Sequence, residues 1–238
     1  RYIILLKCIM HFLICDRAEK MRVFVSWSGG KDCNLALYRA LRMGLEVGCL
    51  LSMLDEGELR LRGHNVSLEV LEHQALALGI PLVYGRARWE TYEEEFKRIA
   101  RRLKMEGYGG AVFGDINIDG HRRWVERVCC EIGIKAFEPL WGESYENLLA
   151  EFFDNGFEAI IVSAKADLIS GEWVGRPFSR EFLAYLKHKG VDLCGEGGEY
   201  HTLVVYGPPF KRRLKIVEAE KTLRDSRWTL QISKIKLE

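Results

Sequence analysis

The 238-residue chain reads as an α/β protein: a parallel sheet with helices on both faces, then a smaller mixed α+β domain. Three observations predict this. Apolar strand-like runs alternate with helical patterns from residue 22 to about 132. Polar and glycine-containing turns follow those runs, where the carboxyl ends of parallel strands would lie. From Thr202 onward the text changes to β-like segments with apolar residues at alternate positions.

The elements follow in order. Residues 22–27 form a buried strand rich in Val and Phe, and 32–43 a helix with Leu37, Tyr38 and Leu41 on one face. Residues 45–54 make a second apolar strand. The stretch 66–78 carries Val66, Val70, Leu71 and Leu78 at helical spacing, with Gly79 as its stop. A short strand over 80–84 precedes a charged amphipathic helix over 90–106. A strand over 111–113 leads into Gly114-Asp115, and Asp119 is placed to cap a helix reaching Ile132, with Gly133 beyond. The Phe137 to Gly142 segment breaks the alternation and marks a domain boundary, giving domains over 21–138 and 139–238. The second contains helices over 145–155 and 180–188, a very apolar strand over 159–164, and the β-rich end.

Composition narrows the function classes. Apolar residues make up 48% and charged residues 29% of the chain, as in an ordinary globular protein. The formal net charge is +1, so no global field recruits nucleic acid or a membrane surface. The basic run Arg98, Arg101, Arg102 and Lys104 reads as a solvated helix face. Seven cysteines show no zinc-type spacing and read as free thiols in a reducing cytoplasm. The apolar start reaching Cys15 is too short to span a bilayer and has no small-residue cleavage site after it. Residues 1–20 therefore read as an upstream extension, with Met21 as the natural start.

The chemistry concentrates in two motifs. After the first strand comes Ser28-Gly29-Gly30-Lys31-Asp32-Cys33, with a helix following at once. The glycines carry no Cβ to block a ligand, and the N–H groups of the first helical turn lack intrahelical partners. The helix dipole favours an anion at that end. Lys31 adds a movable charge and Ser28 a hydroxyl. The spacing differs from the Gly-x-x-x-x-Gly-Lys-Ser/Thr loop and resembles the pyrophosphate loop (PP-loop) of the N-type ATP pyrophosphatases. Cys33 stands where that loop has serine. Two readings of it stand: a small-residue replacement that donates more weakly than a hydroxyl, or a reactive thiol whose pKa the helix N-terminus lowers.

The second motif is Gly195-Glu196-Gly197-Gly198-Glu199, with His201 and Thr202 alongside. Its carboxylates can hold an ammonium or a metal, or move protons. Taken alone, it reads equally well as a tight turn with solvated glutamates.

The two motifs, with Gln74-Ala75-Leu76-Ala77-Leu78-Gly79-Ile80-Pro81-Leu82, Pro139-Leu140-Trp141-Gly142 and Trp173-Val174-Gly175-Arg176 in that order along the chain, resemble the diphthine–ammonia ligase family. The resemblance covers about residues 21–206. It implies an adenine nucleotide alpha hydrolase-like (HUP/Rossmann-like) domain followed by a substrate-binding domain. It implies that Ser28, Gly29, Gly30, Lys31, Asp32 and Cys33 cradle the phosphates of ATP, with Mg²⁺ at Asp32. Ser52 and Met53 are expected near adenine or ribose, and Gly114 and Asp115 at the border of the nucleotide. Glu196, Gly197, Gly198, Glu199 and Thr202 are expected to face the second substrate, with His64 and Arg176 as neighbours, although His64 fits a surface loop as well.

The reaction implied is amide formation. Attack by a carboxylate on the α-phosphorus of ATP gives an acyl-adenylate and pyrophosphate, and ammonia then displaces AMP. Lys31 and Asp32 serve the first step, and Glu196 or Glu199 positions ammonia or the substrate. The implied partners are ATP, ammonia and a carboxylate, of which the diphthine residue of a translation elongation factor is the family's example. Two other classes share the loop: a tRNA-thiolating ATP pyrophosphatase and a non-catalytic nucleotide sensor. Oligomeric state has no signature in the sequence.

Overall fold

The computed structural model describes residues 20–57, 59–61 and 64–238. Apart from Lys20, the expected extension over 1–20 lies outside the described residues. The first sheet contains β1 (Arg22–Ser26), β2 (Glu46–Asp55), β3 (Leu82–Ala87), β4 (Gly110–Val112) and β5 (Lys135–Phe137). Its order is β3-β2-β1-β4-β5, and all four pairings are parallel. The chain therefore steps outward in one direction through β2 and β3, then returns to the other side of β1 for β4 and β5. The turn after β1 lies at this reversal, where open parallel sheets hold their ligands.

Strand periodicity builds two cores. Val23 and Val25 point to one face of β1 and Phe24 to the other, and all three are fully buried. The first face is covered by α1 (Lys31–Arg42) and α2 (Leu68–Leu78). The second is covered by α3 (Tyr92–Met105) and α4 (Asp119–Ile132), through Phe96, Ile99, Leu103, Val125 and Val128. A strand buried on both faces needs a continuous apolar run, as β1 has.

Several local expectations change. Leu41 is exposed, because the buried stripe of α1 runs through Cys33, Ala36, Leu37 and Ala40 and leaves Leu41 one step round the helix. Strand β3 spans Leu82–Ala87 and so runs beyond Tyr84. Strand β5 was not expected; it is three residues long and pairs through Lys135 with Gly110. Asp119 is not a cap: Ile118 holds that position, and Asp119 lies in the first turn, where its charge meets the positive helix end. The left-handed glycines Gly79 and Gly133 end α2 and α4 as expected.

The second sheet is antiparallel, ordered β7-β6-β9-β8, from β6 (Glu158–Lys165), β7 (Tyr200–Tyr206), β8 (Leu214–Arg224) and β9 (Arg227–Leu237). Asp225 and Ser226 both have positive φ, the two-residue hairpin geometry whose twist suits β8 and β9. Helices α5 (Tyr145–Asp154) and α6 (Arg180–Lys189) begin at Ser144 and Ser179, whose hydroxyls accept from Asn147 and Phe182 amides. One continuous core runs from α1 and α2 through Leu148 and Phe152 to Leu203 and Val204. Across it, Val204 N–H donates to Gly29 O at 2.9 Å and Lys211 N–H to Ala77 O at 2.8 Å. No helix among the described residues is long and apolar enough to cross a membrane.

Candidate active site

The first motif is held open by its neighbours. Trp27 N–H donates to Leu51 O at 2.8 Å, which keeps the chain extended one residue past β1. Gly29 then turns with φ +77°, and a Cβ there would lie 2.8 Å from Gln74 Oε1. Only glycine fits such a position. The Gly29 carbonyl accepts from Gln74 Nε2 at 3.0 Å, Asn34 Nδ2 at 3.2 Å and the Val204 amide. Gln74, fully buried, also donates to Val204 O at 2.8 Å and accepts from Trp27 Nε1 at 2.8 Å. One side chain thus ties β1, the turn and β7 together.

The first residue of α1 joins the two sheets again. Lys31 N–H donates to Thr202 Oγ1 at 3.0 Å, so β7 supplies the acceptor that an N-cap side chain usually provides. The Lys31 ammonium is buried and donates to Asp32 Oδ2 at 2.8 Å and to Cys194 O. It stands 5.5 Å from the centre of the Tyr200 ring. Burial works against its charge, but the neighbouring Asp32 carboxylate raises its pKa well above the ordinary lysine range. It is a fixed positive charge rather than a base.

A cavity of about 900 Å³ opens beside this turn. Its floor is the Ser28–Cys33 turn with the end of β4, where a Cβ on Gly114 would lie 2.9 Å from the backbone of Asp32 and Cys33. Met53, Leu54, Trp89, Tyr92 and Trp124 give it an apolar lining, and the Cys194–Thr202 turn forms a further wall. Asp192 organises that wall: its Oδ1 accepts from the amides of Cys194 at 2.8 Å, Gly195 at 2.6 Å and Glu196 at 3.3 Å. Glu196 lines the cavity. Burial, then the negative charges of Asp32 and Asp115, push its carboxyl up to about 7 against the pull of Lys31. Asp115 also lines the cavity and accepts from His121 Nδ1 at 3.0 Å. Behind it, the side chain of Glu138 is 8% exposed, and its Oε1 has no hydrogen-bond partner among the described residues. Burial and the Asp115 charge push that carboxyl up to about 7.

Twelve expected residues line this cavity: Ser28, Gly30, Lys31, Asp32, Cys33, Met53, His64, Gly114, Asp115, Glu196, Gly198 and Thr202. Five expected residues stand elsewhere. Gly29 faces Gln74 and β7. Ser52 is fully buried in mid-strand, because β2 continues to Asp55, and its hydroxyl donates to Trp27 O at 2.8 Å. Arg176 is exposed, with its guanidinium 5.6 Å from the centre of the Trp173 ring. Gly197 is exposed, and its carbonyl accepts from Lys165 Nζ at 2.9 Å. Glu199 folds back toward Gly197 and acts electrostatically on Arg227, itself bonded to Gly198 O and Ser163 Oγ.

Cys33 is not a reactive thiol. It is buried, donates to Gly30 O at 3.2 Å and accepts from Ser28 Oγ at 3.5 Å, and burial pushes its pKa up to about 11. The dipole of α1 does not overcome that burial. The His64 and His201 rings lie with centres 4.0 Å apart, tilted 32° to each other, and both line the cavity. His201 is neutral, held well below the ordinary histidine pKa by burial and by the His64 and Arg227 charges.

His121, Gln74, Asp192 and His201 were not among the expected site residues. Asp192 carried a local signal, an Asp three residues before a Gly in a turn. Gln74 lies in a run that carries the family resemblance, but its part in the turn shows only in the tertiary fold; His121 sits on a helix whose spacing shows only an amphipathic pattern.

The sequence profile of the diphthamide synthase N-terminal domain matches residues 21–136, and that of the diphthamide synthase C-terminal domain matches 144–237. A diphthine–ammonia ligase from Rattus norvegicus is 27% identical over 236 residues, covering 87% of this chain and 86% of its own. Relatives of the same name from Mus musculus and Homo sapiens are 28% and 26% identical; the matches cover 87% and 84% of this chain and 86% and 84% of theirs. A solved chain from Methanocaldococcus jannaschii, described as a predicted subunit of tRNA methyltransferase, gives a TM-score of 0.44 at 18% identity, over 79% of this chain and 98% of that one. With both domain profiles matched along most of its length, the chain belongs to the diphthamide synthase family.

Proposed function

We propose that the protein is an ATP-dependent ligase that converts a carboxylate to an amide with ammonia, the carboxylate being that of diphthine on a translation elongation factor. One observation carries the reading: the Lys31 turn, Asp115 and Glu196 open onto one cavity between the carboxyl ends of the parallel sheet and the Cys194–Thr202 turn. A nucleotide and a second substrate can meet only in such a shared space. The relatives' name, diphthine–ammonia ligase, supports diphthine as that second substrate. Residues 21–138 form the nucleotide-binding part and 139–238 the substrate-binding part.

In this reading the first turn of α1, Ser28 Oγ and the Lys31 ammonium face the phosphates. They stabilise negative charge that grows on pyrophosphate as the carboxylate attacks the α-phosphorus. The Lys31 contacts to Asp32 and Cys194 O keep it aimed before ATP arrives, so no reorganisation is needed in the reaction. The apolar lining around Met53 and Tyr92 receives the base. Glu196, poised to change protonation near neutrality, lies on the wall where the second substrate enters.

Among the described residues no group of three or more His, Cys, Asp or Glu is arranged to hold a metal. Mg²⁺ needs no such group: it takes one or two carboxylates and completes its shell with water and phosphate oxygens. Asp32, with one oxygen on Lys31 and the other unshared by that bond, is the residue that would hold it. Bound there, Mg²⁺ would neutralise phosphate charge. The reading places the protein in the cytoplasm, where ATP is abundant.

Incubation with ATP, ammonium and diphthine-bearing elongation factor tests the proposal. AMP and amide are expected in equal amounts. ADP and orthophosphate in their place would overturn it.

A further inference from the structure

We propose that His121 is a catalytic residue, the base that takes a proton from the attacking nitrogen in the amide-forming step, with Asp115 fixing its orientation. This rests on the ligase reading above. His121 is the third residue of α4 and lines the cavity beside Asp115. Its Nδ1 lies 3.0 Å from Asp115 Oδ1. A carboxylate can only accept, so the proton of the neutral ring sits on Nδ1 and the lone pair on Nε2. Nε2 has no hydrogen-bond partner among the described residues. A cavity-lining His whose Nδ1 is anchored by a carboxylate and whose Nε2 carries a free lone pair has the arrangement of a general base.

The charges around the ring support the role. Asp115 acts on it from beyond the end of β4 and Glu196 from the Cys194–Thr202 turn, and both favour the imidazolium that proton transfer creates. Glu196 therefore brings the substrate wall within electrostatic reach of His121. Lys31, the other strong base of the site, is held protonated by Asp32 and cannot take this proton.

The step balances as follows. The lone pair of ammonia forms the C–N bond to the acyl carbon. The C–O bond to AMP breaks, and its electron pair leaves with the AMP phosphate. One N–H proton passes to Nε2, giving the amide, AMP and an imidazolium that later releases its proton to water.

The test compares two half-reactions in His121→Gln, whose amide can still donate to Asp115. Carboxylate-dependent ATP–pyrophosphate exchange without ammonium reports adenylate formation, and amide production with ammonium reports the second step. The ratio of amide production to exchange is expected to fall about 100-fold, the size typical of a lost general base. Hydroxylamine, whose attached nitrogen is the more acidic, should need the base less and restore most of the ratio. An unchanged ratio, or a ratio that falls equally with ammonium and hydroxylamine, would overturn the proposal. Absence of exchange in the unaltered protein would instead overturn the ligase reading and this inference with it. Far-UV circular dichroism checks that the variant is folded, and Asp115→Asn should lower the same ratio less.

Discussion

The Lys31 amide donates to the Thr202 hydroxyl at 3.0 Å, across 171 residues of sequence. The helix that follows the Ser28–Gly30 turn is thus capped by the strand that follows the Cys194–Glu199 turn. With the Lys31 ammonium on Cys194 O and the Val204 amide on Gly29 O, this bond fastens the two halves of the proposed site to each other beside the cavity.

Thr202→Val keeps the shape and removes the acceptor. It should cost about 0.5–2 kcal/mol of stability, the range for losing a helix cap, and raise the KM for ATP. Thr202→Ser should restore both. Urea unfolding and ATP titration of initial rates measure the two effects, and a Val variant with unaltered KM would separate the cap from nucleotide binding.

Gln74→Ala strips three buried bonds at once, from Trp27 Nε1, Gly29 O and Val204 O. A destabilisation of about 2–4 kcal/mol is expected, because buried groups are left without partners. Equilibrium denaturation measures it. A loss below the level of a surface substitution would show that the turn holds its shape without this side chain.

Much of this arrangement was legible in the sequence, and the failures have physical causes. The runs of β1, β2 and β6 are apolar because they are buried, so their place could be read directly. Strand β5 has only three residues and no alternation to count. Ser52 was expected at a strand end, but pairing with β3 through Asp55 draws β2 three residues further and turns its hydroxyl onto Trp27. In the second motif, sequence shows two equivalent glutamates. Asp192 and Arg227 make them different, one turned to the cavity and one away, and neither partner is readable from the motif itself.

The stability contributed by Glu138 and Glu196 should fall as pH rises from about 5 to 8, while buried neutral His201 works in the opposite direction. Glu138 and Glu196 have folded pKa values raised to about 7, so the native state holds more protons than the unfolded chain between the two ranges. Their part of the stability is then lost with each step upward in pH. Glu138→Gln should flatten part of that slope. Thermal melts at successive pH values check it, and an equal slope in the variant would contradict the assignment.

Cys33 should resist iodoacetamide in the native protein at neutral pH, while the exposed Cys130 reacts. Peptide mapping after labelling distinguishes them. Rapid native labelling of Cys33 would contradict its burial and revive the reactive-thiol reading.

The most direct test of the central claim is the product pattern of Lys31→Met against the unaltered protein, with ATP, ammonium and diphthine-bearing elongation factor, read by mass spectrometry. The unaltered protein should give AMP, pyrophosphate and amide in equal amounts, and folded Lys31→Met none of the three. AMP and amide from Lys31→Met at the unaltered rate would contradict the account.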